Sequence, residues 1–290
     1  MKLHDRNHII KSVLGNAEHA FTHSGLKKNE LTVVNYHGTQ KKFSSNFRQQ
    51  INFFQKNFTI IFPTQLQNFY GGKLTGERPF LLLTFDDGIK NNLNAAAILS
   101  EYNLKAFFFI VPDFIDTPIE SQKNYFTTHI RPKINEAIDN EMEDFTSLNW
   151  DDLKKLLSNG HAIGSHTTSH SLIAKKSSLE NSSREIKDCK KMIAAKLNVP
   201  AESIDSFCSI NNTLESIALK ELKIIKENYS YHFTTIPGVN FPDSDPYFIK
   251  RANIESHWLS GAVKYAIGKW DVKRWGKSAN EYLKILKEAK

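Results

Sequence analysis

Apolar and polar residues follow one another along the chain in blocks that predict strands separated by helices. Four short runs are almost continuously apolar, which is typical of strands covered on both faces: "LTVVNYHG" (31–38), "FLLLTF" (80–85), "KAFFFIV" (105–111) and "HAIGS" (161–165). Apolar residues at helical spacing predict helices over 9–21, 46–58, 91–103, 149–160 and 179–197. Strands that alternate with helices pair in parallel, so we expect an α/β fold.

The same pattern indicates the domain organisation. The 290 residues contain no internal repeat, low-complexity tract or long Pro/Gly linker. We therefore predict one domain over residues 31–290, preceded by a helical extension over residues 1–30. The irregular stretch 113–147 is expected to be an elaborated loop of that domain.

Composition narrows the class of protein. The chain is 40% hydrophobic and 24% charged, as in ordinary globular proteins, and no apolar run approaches the roughly 20 residues of a membrane helix. The first residues lack the apolar block of a secretory signal, so we expect a cytoplasmic protein. Cys189 and Cys208 do not form a CxxC motif and are expected to be buried free thiols.

The net charge of +7 is unevenly distributed, because residues 262–290 hold eight Lys or Arg and only three acids. Such a region can be a solvated helix surface. Alternatively, it can attract an anionic partner, such as a phosphate-bearing substrate or a membrane surface. The sequence has no nucleic-acid recognition motif, and we expect no nucleic-acid partner.

Two pairs of residues carry candidate chemistry. Asp86 and Asp87 end the apolar strand in "LLLTFDDGIK", and two adjacent buried carboxylates need a shared proton or cation. His166 and His170 follow the strand "HAIGS"; if a helical turn begins there, both imidazoles lie on one face and can bind one ion. Both pairs follow predicted parallel strands, at the end where α/β folds build their sites. Two histidines and one carboxylate leave a position open for water, as in catalytic metal sites.

The segments "TFDDG" and "LNWDDLKKLLSNGHAIGSHTTSHSL" resemble the polysaccharide deacetylases of carbohydrate esterase family 4, the NodB-homology group. The resemblance covers roughly residues 80–200. It implies a distorted (β/α)7-type barrel, with Asp86 as general base and Asp87, His166 and His170 as ligands of a divalent metal ion. The nitrogen-rich ligand set favours Zn²⁺.

A deacetylase also needs an acid for the departing amine. Here "VVNYHG" resembles a branch that includes the biofilm poly-N-acetylglucosamine deacetylases, in which a "YH" segment precedes the DD motif. This likeness implies His37 as the general acid; a structural role is the alternative, and His232 and His257 are further candidates. Arg251 in "YFIKRANIES" resembles the barrel-closing arginine of the same branch and is expected to pair with Asp86, with a surface position as the alternative.

These residues predict a metal-dependent N-deacetylase of an acetylated amino sugar. With no export signal expected, the predicted substrate is a nucleotide- or lipid-linked intermediate of surface-polysaccharide synthesis. Two alternatives stay open: hydrolysis of an O-acetyl or N-formyl group at the same centre, and a catalytically silent sugar-binding protein. The segment "FCSINN" (207–212) lacks the proline and glycine of the family's groove-lining third motif and leaves the sugar unspecified. The sequence does not indicate an oligomeric state.

Overall fold

The protein is built on a sheet of parallel strands, seen in a computed structural model that describes residues 28–132, 141–173, 177–210 and 219–267 and residues 284, 287 and 288. Within these ranges the strands are Leu31–Tyr36 (β1), Thr59–Ile60 (β2), Phe80–Phe85 (β3), Phe107–Ile110 (β4), Ala162–Ser165 (β5), Ser206–Cys208 (β6), Tyr231–Phe233 (β7) and Ala252–Asn253 (β8). Their order is β7-β6-β5-β4-β3-β1-β8, and β2 pairs with the start of β3.

The sheet closes into a barrel through the segment that ends in β8. Phe233 of β7 forms a parallel bridge with Ile249, while Val34 of β1 pairs in parallel with Ala252 of β8. One short segment therefore joins the two edges of the sheet. This confirms the predicted α/β fold, a distorted (β/α)7-type barrel in a single domain.

Helices surround and connect the strands. Those in the described ranges are Ser44–Asn57 (α1), Leu66–Tyr70 (α2), Asn92–Glu101 (α3), Pro112–Asp116 (α4), Ile119–Tyr125 (α5), Trp150–Ser158 (α6), Leu179–Ser183 (α7), Cys189–Leu197 (α8), Leu219–Asn228 (α9) and Ser260–Ile267 (α10). A π-helical turn, Phe126–Ile130, continues α5, and another, Arg184–Asp188, joins α7 to α8. None of the helices in the described part of the chain is both long enough and apolar enough to cross a membrane.

The alternation of side chains along the strands sorts them into two apolar layers. One layer fills the barrel interior and includes Leu31, Val33, Phe80, Leu82 and Phe109. The other lies between the sheet and the helices and includes Val34, Tyr36, Leu81, Leu83 and Phe85. Continuing the alternation past the last apolar residues turns Asn35, Thr84 and Asp86 towards the interior at the carboxyl end of the sheet. The fold itself therefore brings polar groups together there.

The strands and helices predicted over 31–38, 46–58, 80–85, 91–103, 105–111, 149–160, 161–165 and 179–197 are confirmed, with ends that differ by a few residues. The helix predicted over 9–21, most of the extension 1–30 and most of the basic region 262–290 lie outside the described residues. The stretch 113–147, expected to be an elaborated loop, contains the short helices α4 and α5 and the turn Phe126–Ile130. These helices are too short to show a hydrophobic period in the sequence.

Candidate active site

Asp86 follows β3 and is held by an arginine from the far end of the chain. Arg251 Nη1 donates to Asp86 Oδ1 at 2.7 Å, and Arg251 Nη2 donates to Asp86 Oδ2 at 2.8 Å. Thr84 Oγ1 accepts from Arg251 Nη1 at 3.1 Å, and Asn35 Nδ2 lies 3.4 Å from Asp86 Oδ2. We call Asp86, Arg251, Thr84, Asn35 and Cys208 the Asp86 cluster. The predicted pairing of Arg251 with Asp86 is present, and Arg251 is buried rather than on the surface.

This pairing decides the charge of Asp86. Burial raises the pKa of the Asp86 carboxyl, but the adjacent Arg251 guanidinium outweighs burial, and the pKa lies below its ordinary value. Two parallel hydrogen bonds from a guanidinium also fix the plane of the carboxylate. Asp86 is therefore an ionised, oriented group that can accept a proton.

Cys208 at the end of β6 lies between the Asp86–Arg251 pair and His166. Arg251 Nη2 lies 2.9 Å from Cys208 Sγ, and the Cys208 backbone carbonyl lies 2.9 Å from His166 Nδ1. Both Cys189 and Cys208 are buried and free, as predicted. No sequence motif indicated, however, that Cys208 would contact the site, because a backbone carbonyl carries no side-chain signal.

Asp87 forms a second group with the two histidines. Asp87 Oδ1 lies 3.4 Å from His166 Nε2 and 3.3 Å from His170 Nε2. Each ring places its Nδ1 against a backbone carbonyl, that of Cys208 at 2.9 Å and that of His129 at 2.8 Å. Because a carbonyl only accepts, each Nδ1 carries a proton, and in the neutral ring Nε2 turns a lone pair towards Asp87. We call Asp87, His166, His170 and Arg131 the Asp87 cluster.

The donor atoms of Asp87, His166 and His170 fit a metal ion. Ligand atoms held about 2.0–2.2 Å from a tetrahedral ion lie roughly 3.3–3.5 Å from one another, as the Asp87–histidine contacts do. Among the described residues, the buried Asp87 Oδ2 has no hydrogen-bond partner. Burial raises the pKa of the Asp87 carboxyl; in the metal-free protein, the hydrogen bonds that Nε2 of each histidine donates when its ring is protonated hold the pKa well below its usual range. A charged carboxylate facing two imidazoles is a typical zinc ligand set.

A second group of potential ligands, Asp86, His166 and Cys208, lies close by. The guanidinium of Arg251 already contacts both the Asp86 carboxylate and the Cys208 sulfur. Its positive charge would repel a cation from that group. The Asp87 cluster is therefore the better candidate metal site.

The two histidines converge through a turn and not through the helical turn that the sequence predicted. Residues 166–173 are not helical, and Thr167 and His170 have left-handed backbones with φ of 62° and 59°. Glu185, which is fully buried, holds this turn: Ser169 N donates to Oε2 and Ser169 Oγ donates to Oε1, both at 2.9 Å. The four-residue spacing thus brings both imidazoles to Asp87 as expected, but through a left-handed turn; that the two histidines bind one ion stays a prediction.

Arg131 is a site residue that the sequence analysis missed. Its Nε lies 3.7 Å from Asp87 Oδ2, and its side chain is 34% exposed. It follows the π-helical turn Phe126–Ile130, whose His129 carbonyl contacts His170. The stretch expected to be only a loop therefore supplies one charged group and one supporting carbonyl to the site.

His37 directly follows β1, at the same end of the sheet as the two aspartates that follow β3. Tyr36 pairs with Phe85 in the sheet, so the next residue of each strand, His37 and Asp86, lies at the same level. Burial and then the charge of Arg131 lower the pKa of His37. Within the described chain, His37 Nδ1 is enclosed and has no hydrogen-bond partner.

The other two candidate acids lie in different surroundings. His232 is fully buried, with Nε2 2.8 Å from Ser209 Oγ and Nδ1 3.1 Å from the Tyr247 carbonyl, so both of its ring nitrogens are occupied. His257 is exposed and its ring packs beside Phe43. The geometry thus favours His37 among the three histidines.

Comparison with known proteins agrees with this site. Residues 73–208 match the polysaccharide deacetylase family, and the matched stretch contains both aspartates and both histidines of the two clusters. This match covers just under half of the chain, residues 73–208 of 290. A comparison with curated proteins gave no match.

Solved deacetylase structures share the barrel. Deacetylase PplD of Streptococcus pyogenes in complex with acetate is 16% identical, with a TM-score of 0.60 over 84% of this chain and 99% of that chain. The BpsB deacetylase domain of Bordetella bronchiseptica is 17% identical, with a TM-score of 0.60 over 79% and 97%. IcaB of Ammonifex degensii is 17% identical, with a TM-score of 0.57 over 86% and 100%. At these identities the likeness establishes the fold.

Proposed function

We propose that the protein is a metal-dependent deacetylase that removes the N-acetyl group of an amino sugar. This proposal rests on one observation, the different surroundings of two adjacent carboxylates. Asp86 is fixed and charged by Arg251, whereas Asp87 faces two imidazole lone pairs as a ligand would. The match to the deacetylase family over residues 73–208 supports the same reaction.

In this mechanism Asp87, His166 and His170 hold a divalent ion, for which we propose Zn²⁺. When bound, the ion polarises the acetyl carbonyl and makes a nearby water more acidic. Asp86 accepts the proton of that water, and Arg251 keeps Asp86 ionised and oriented for the transfer. Asp87 would stay charged because the positive charge of the ion favours the carboxylate form.

His37 is our proposed general acid. It lies level with Asp86 at the mouth of the barrel, where a leaving nitrogen would need a proton. Its lowered pKa makes the imidazolium form a stronger acid, which favours proton donation to the departing amine. The negative charges of Asp86 and Asp87 favour its protonation and keep that form within reach.

As substrate we propose an acetylated amino sugar of surface-polysaccharide synthesis, either nucleotide- or lipid-linked or within the glycan, and we propose a cytoplasmic location. The basic residues of 262–290 would suit a phosphate-bearing substrate or contact with a membrane surface. Hydrolysis of an O-acetyl or N-formyl group is the second candidate, because the same residues would attack either acyl carbonyl. A silent sugar-binding protein is the third.

The test combines metal content with product release. Purified wild-type protein should contain about one equivalent of zinc, and His170→Ala should contain much less, whereas the exposed control His257→Ala should match the wild type. Acetate release from N-acetylated and O-acetylated sugars should stop with a chelator and return with zinc. Equal zinc in wild type and His170→Ala would contradict the ligand assignment. Absence of acetate release from every sugar would favour the binding protein.

A further inference from the structure

Arg131 lies on the solvent side of the Asp87 cluster. Asp87 Oδ1 faces the two histidines, whereas Oδ2 faces Arg131 Nε at 3.7 Å, too far for a hydrogen bond. The Arg131 side chain is 34% exposed, against 2% for Asp87 and 11% for His170. A molecule entering the mouth of the barrel would therefore reach the guanidinium before it reaches the metal ligands.

The backbone fixes the position of Arg131. Its amide donates to the Phe126 carbonyl at 2.7 Å, and Phe126 and Ile130 are buried in a small apolar cluster. The same turn supplies the His129 carbonyl that contacts His170 Nδ1. The turn that orients a metal ligand thus also carries a positive charge to the site.

A divalent ion would make the site positively charged. Asp86 is neutralised by Arg251 at 2.7 Å, and Asp87 is accompanied by Arg131. A divalent ion held by Asp87 and two neutral histidines would add two uncompensated positive charges. Glu255, whose charge acts on His37, can offset one of them at most. A buried excess of positive charge attracts an anion strongly, because the low dielectric weakens screening.

We propose that Arg131 selects an acetylated sugar that carries an anionic oxygen group, a phosphate or a carboxylate, next to its acetamido group. The proposal rests on the proposed function and names the substrate class of that site. A guanidinium suits this role because it can donate two parallel hydrogen bonds to either kind of oxyanion.

The first test is metal affinity, which needs no substrate. Zinc titration of the metal-free protein by calorimetry should show roughly tenfold tighter binding for Arg131→Gln than for wild type, because a repelling charge is removed. Arg48→Gln is the matched control, since Arg48 is 39% exposed and pairs with Glu101 on the outer helices. Unchanged or weaker zinc binding in Arg131→Gln would overturn the proposal.

The second test is anion selectivity of the zinc-loaded protein. N-acetylglucosamine 1-phosphate, N-acetylmuramic acid and uncharged N-acetylglucosamine would be bound in turn to wild type, Arg131→Gln, Arg131→Lys and Arg48→Gln. Arg131→Gln should lose roughly tenfold in affinity for a charged sugar and keep its affinity for the uncharged one. Arg131→Lys should lose less, because it keeps the charge.

The outcomes distinguish the proposed role of Arg131 from the proposed deacetylase function. A selective loss for the phosphate or for the carboxylate supports the role of Arg131 and identifies the anionic group. Equal losses for charged and uncharged sugars, or none, overturn the role of Arg131 while the deacetylase proposal stands. Failure of the wild type to bind zinc would instead overturn the proposed function itself.

Discussion

Asp86 and Asp87 are adjacent and equally buried, yet the oxygens of the two carboxylates are paired very differently. Both oxygens of Asp86 accept hydrogen bonds from Arg251 at 2.7 and 2.8 Å. In Asp87 one oxygen faces two imidazoles, and the other has no hydrogen-bond partner among the described residues. The Asp86 carboxylate is thus fully hydrogen-bonded by residues of the chain itself. The lone pairs of Asp87 and of the two histidines face one another, so the Asp87 cluster needs a cation or protons between them.

The two clusters also differ in the backbone that carries them. Members of the Asp86 cluster come from strands or strand ends, where simple alternation turns them into the barrel. The Asp87 cluster is carried by turns. Left-handed backbone conformations, which residues other than glycine adopt at a cost, occur at Asp87, Thr167 and His170. The comparison suggests that regular strands position the proposed proton acceptor, while strained turns position the proposed metal ligands.

The largest expected effect comes from breaking the Asp86 cluster. Asp86→Asn should reduce turnover about 100- to 10,000-fold, because an amide cannot accept the proton of the water. It should also lower the free energy of unfolding by about 3–5 kcal/mol, since Arg251 would be left buried without a counter-charge. Zinc content should not change. Asp151→Asn, at an exposed helix position, is the control, and near-normal turnover of Asp86→Asn would remove Asp86 from the mechanism.

His37 lies close enough to both clusters for the charges of Asp86, Asp87 and Arg131 to act on it, and its removal should affect proton donation alone. His37→Ala should reduce amide hydrolysis about 100-fold and hydrolysis of an activated aryl ester much less, because a good leaving group needs no proton. Zinc content should match the wild type. Equal losses on both substrates would mean that His37 only supports the strand end, and the search for the acid would return to His257 and His232.

His161, a buried histidine outside both clusters, should affect the pH dependence of the free energy of unfolding but not metal binding. Burial, followed by the charge of Lys105, lowers the pKa of His161 from 6.5 to about 4. Its Nδ1 accepts from the Ala106 amide at 3.2 Å and cannot take a second proton without losing that bond. Above pH 6.5 the residue is neutral in both the folded and the unfolded chain and contributes nothing to pH dependence.

Between pH 6.5 and 4 the unfolded chain binds a proton that the folded protein excludes, so His161 lowers stability as the pH falls. The loss should total about 3 kcal/mol. Urea unfolding at several pH values should show a shallower dependence for His161→Gln than for wild type or for the exposed control His257→Gln. Identical pH profiles would contradict the assignment, and zinc affinity should be the same in all three proteins.

The smallest effect should come from the support of the Asp87 cluster. Glu185→Gln replaces an acceptor oxygen that holds Ser169 by a donor, which should loosen the turn bearing His170 and weaken zinc binding roughly tenfold. Glu221→Gln is the matched control, because Glu221 is equally buried but accepts from Ser182, away from the turn. Equal zinc affinity in the two variants would show that the turn keeps its shape without Glu185.

The sequence predicted most of the longer elements, although helices α9 and α10, of ten and eight residues, were not predicted. Strands β1, β3, β4 and β5 are apolar runs of four to six residues, and all were found. Strands β6, β7 and β8 have only two or three residues each, too few for a period, and were not predicted. The short helices α4 and α5 were not predicted for the same reason.

Within the site, the sequence predicted the side chains whose chemistry is carried by a local motif. Asp86, Asp87, His166 and His170 were found through motif spacing, and the contact between Arg251 and Asp86 through resemblance. Arg131 and Glu185 act across long stretches of chain and belong to no motif. The left-handed turn was missed because "HTTSH" contains no glycine that would indicate a positive φ. Catalytic roles for these residues stay predictions.

The closure of the barrel by the segment before β8 has a consequence for biosynthesis. Arg251 is separated from Asp86 by 165 positions, whereas Asp87, His166 and His170 leave the ribosome much earlier. A growing chain that has reached β7 therefore already contains the proposed metal ligands but has nothing to balance the charge of Asp86. The proposed proton acceptor is oriented only when the last strand docks, so the proposed activity should appear at the final step of folding and not before it.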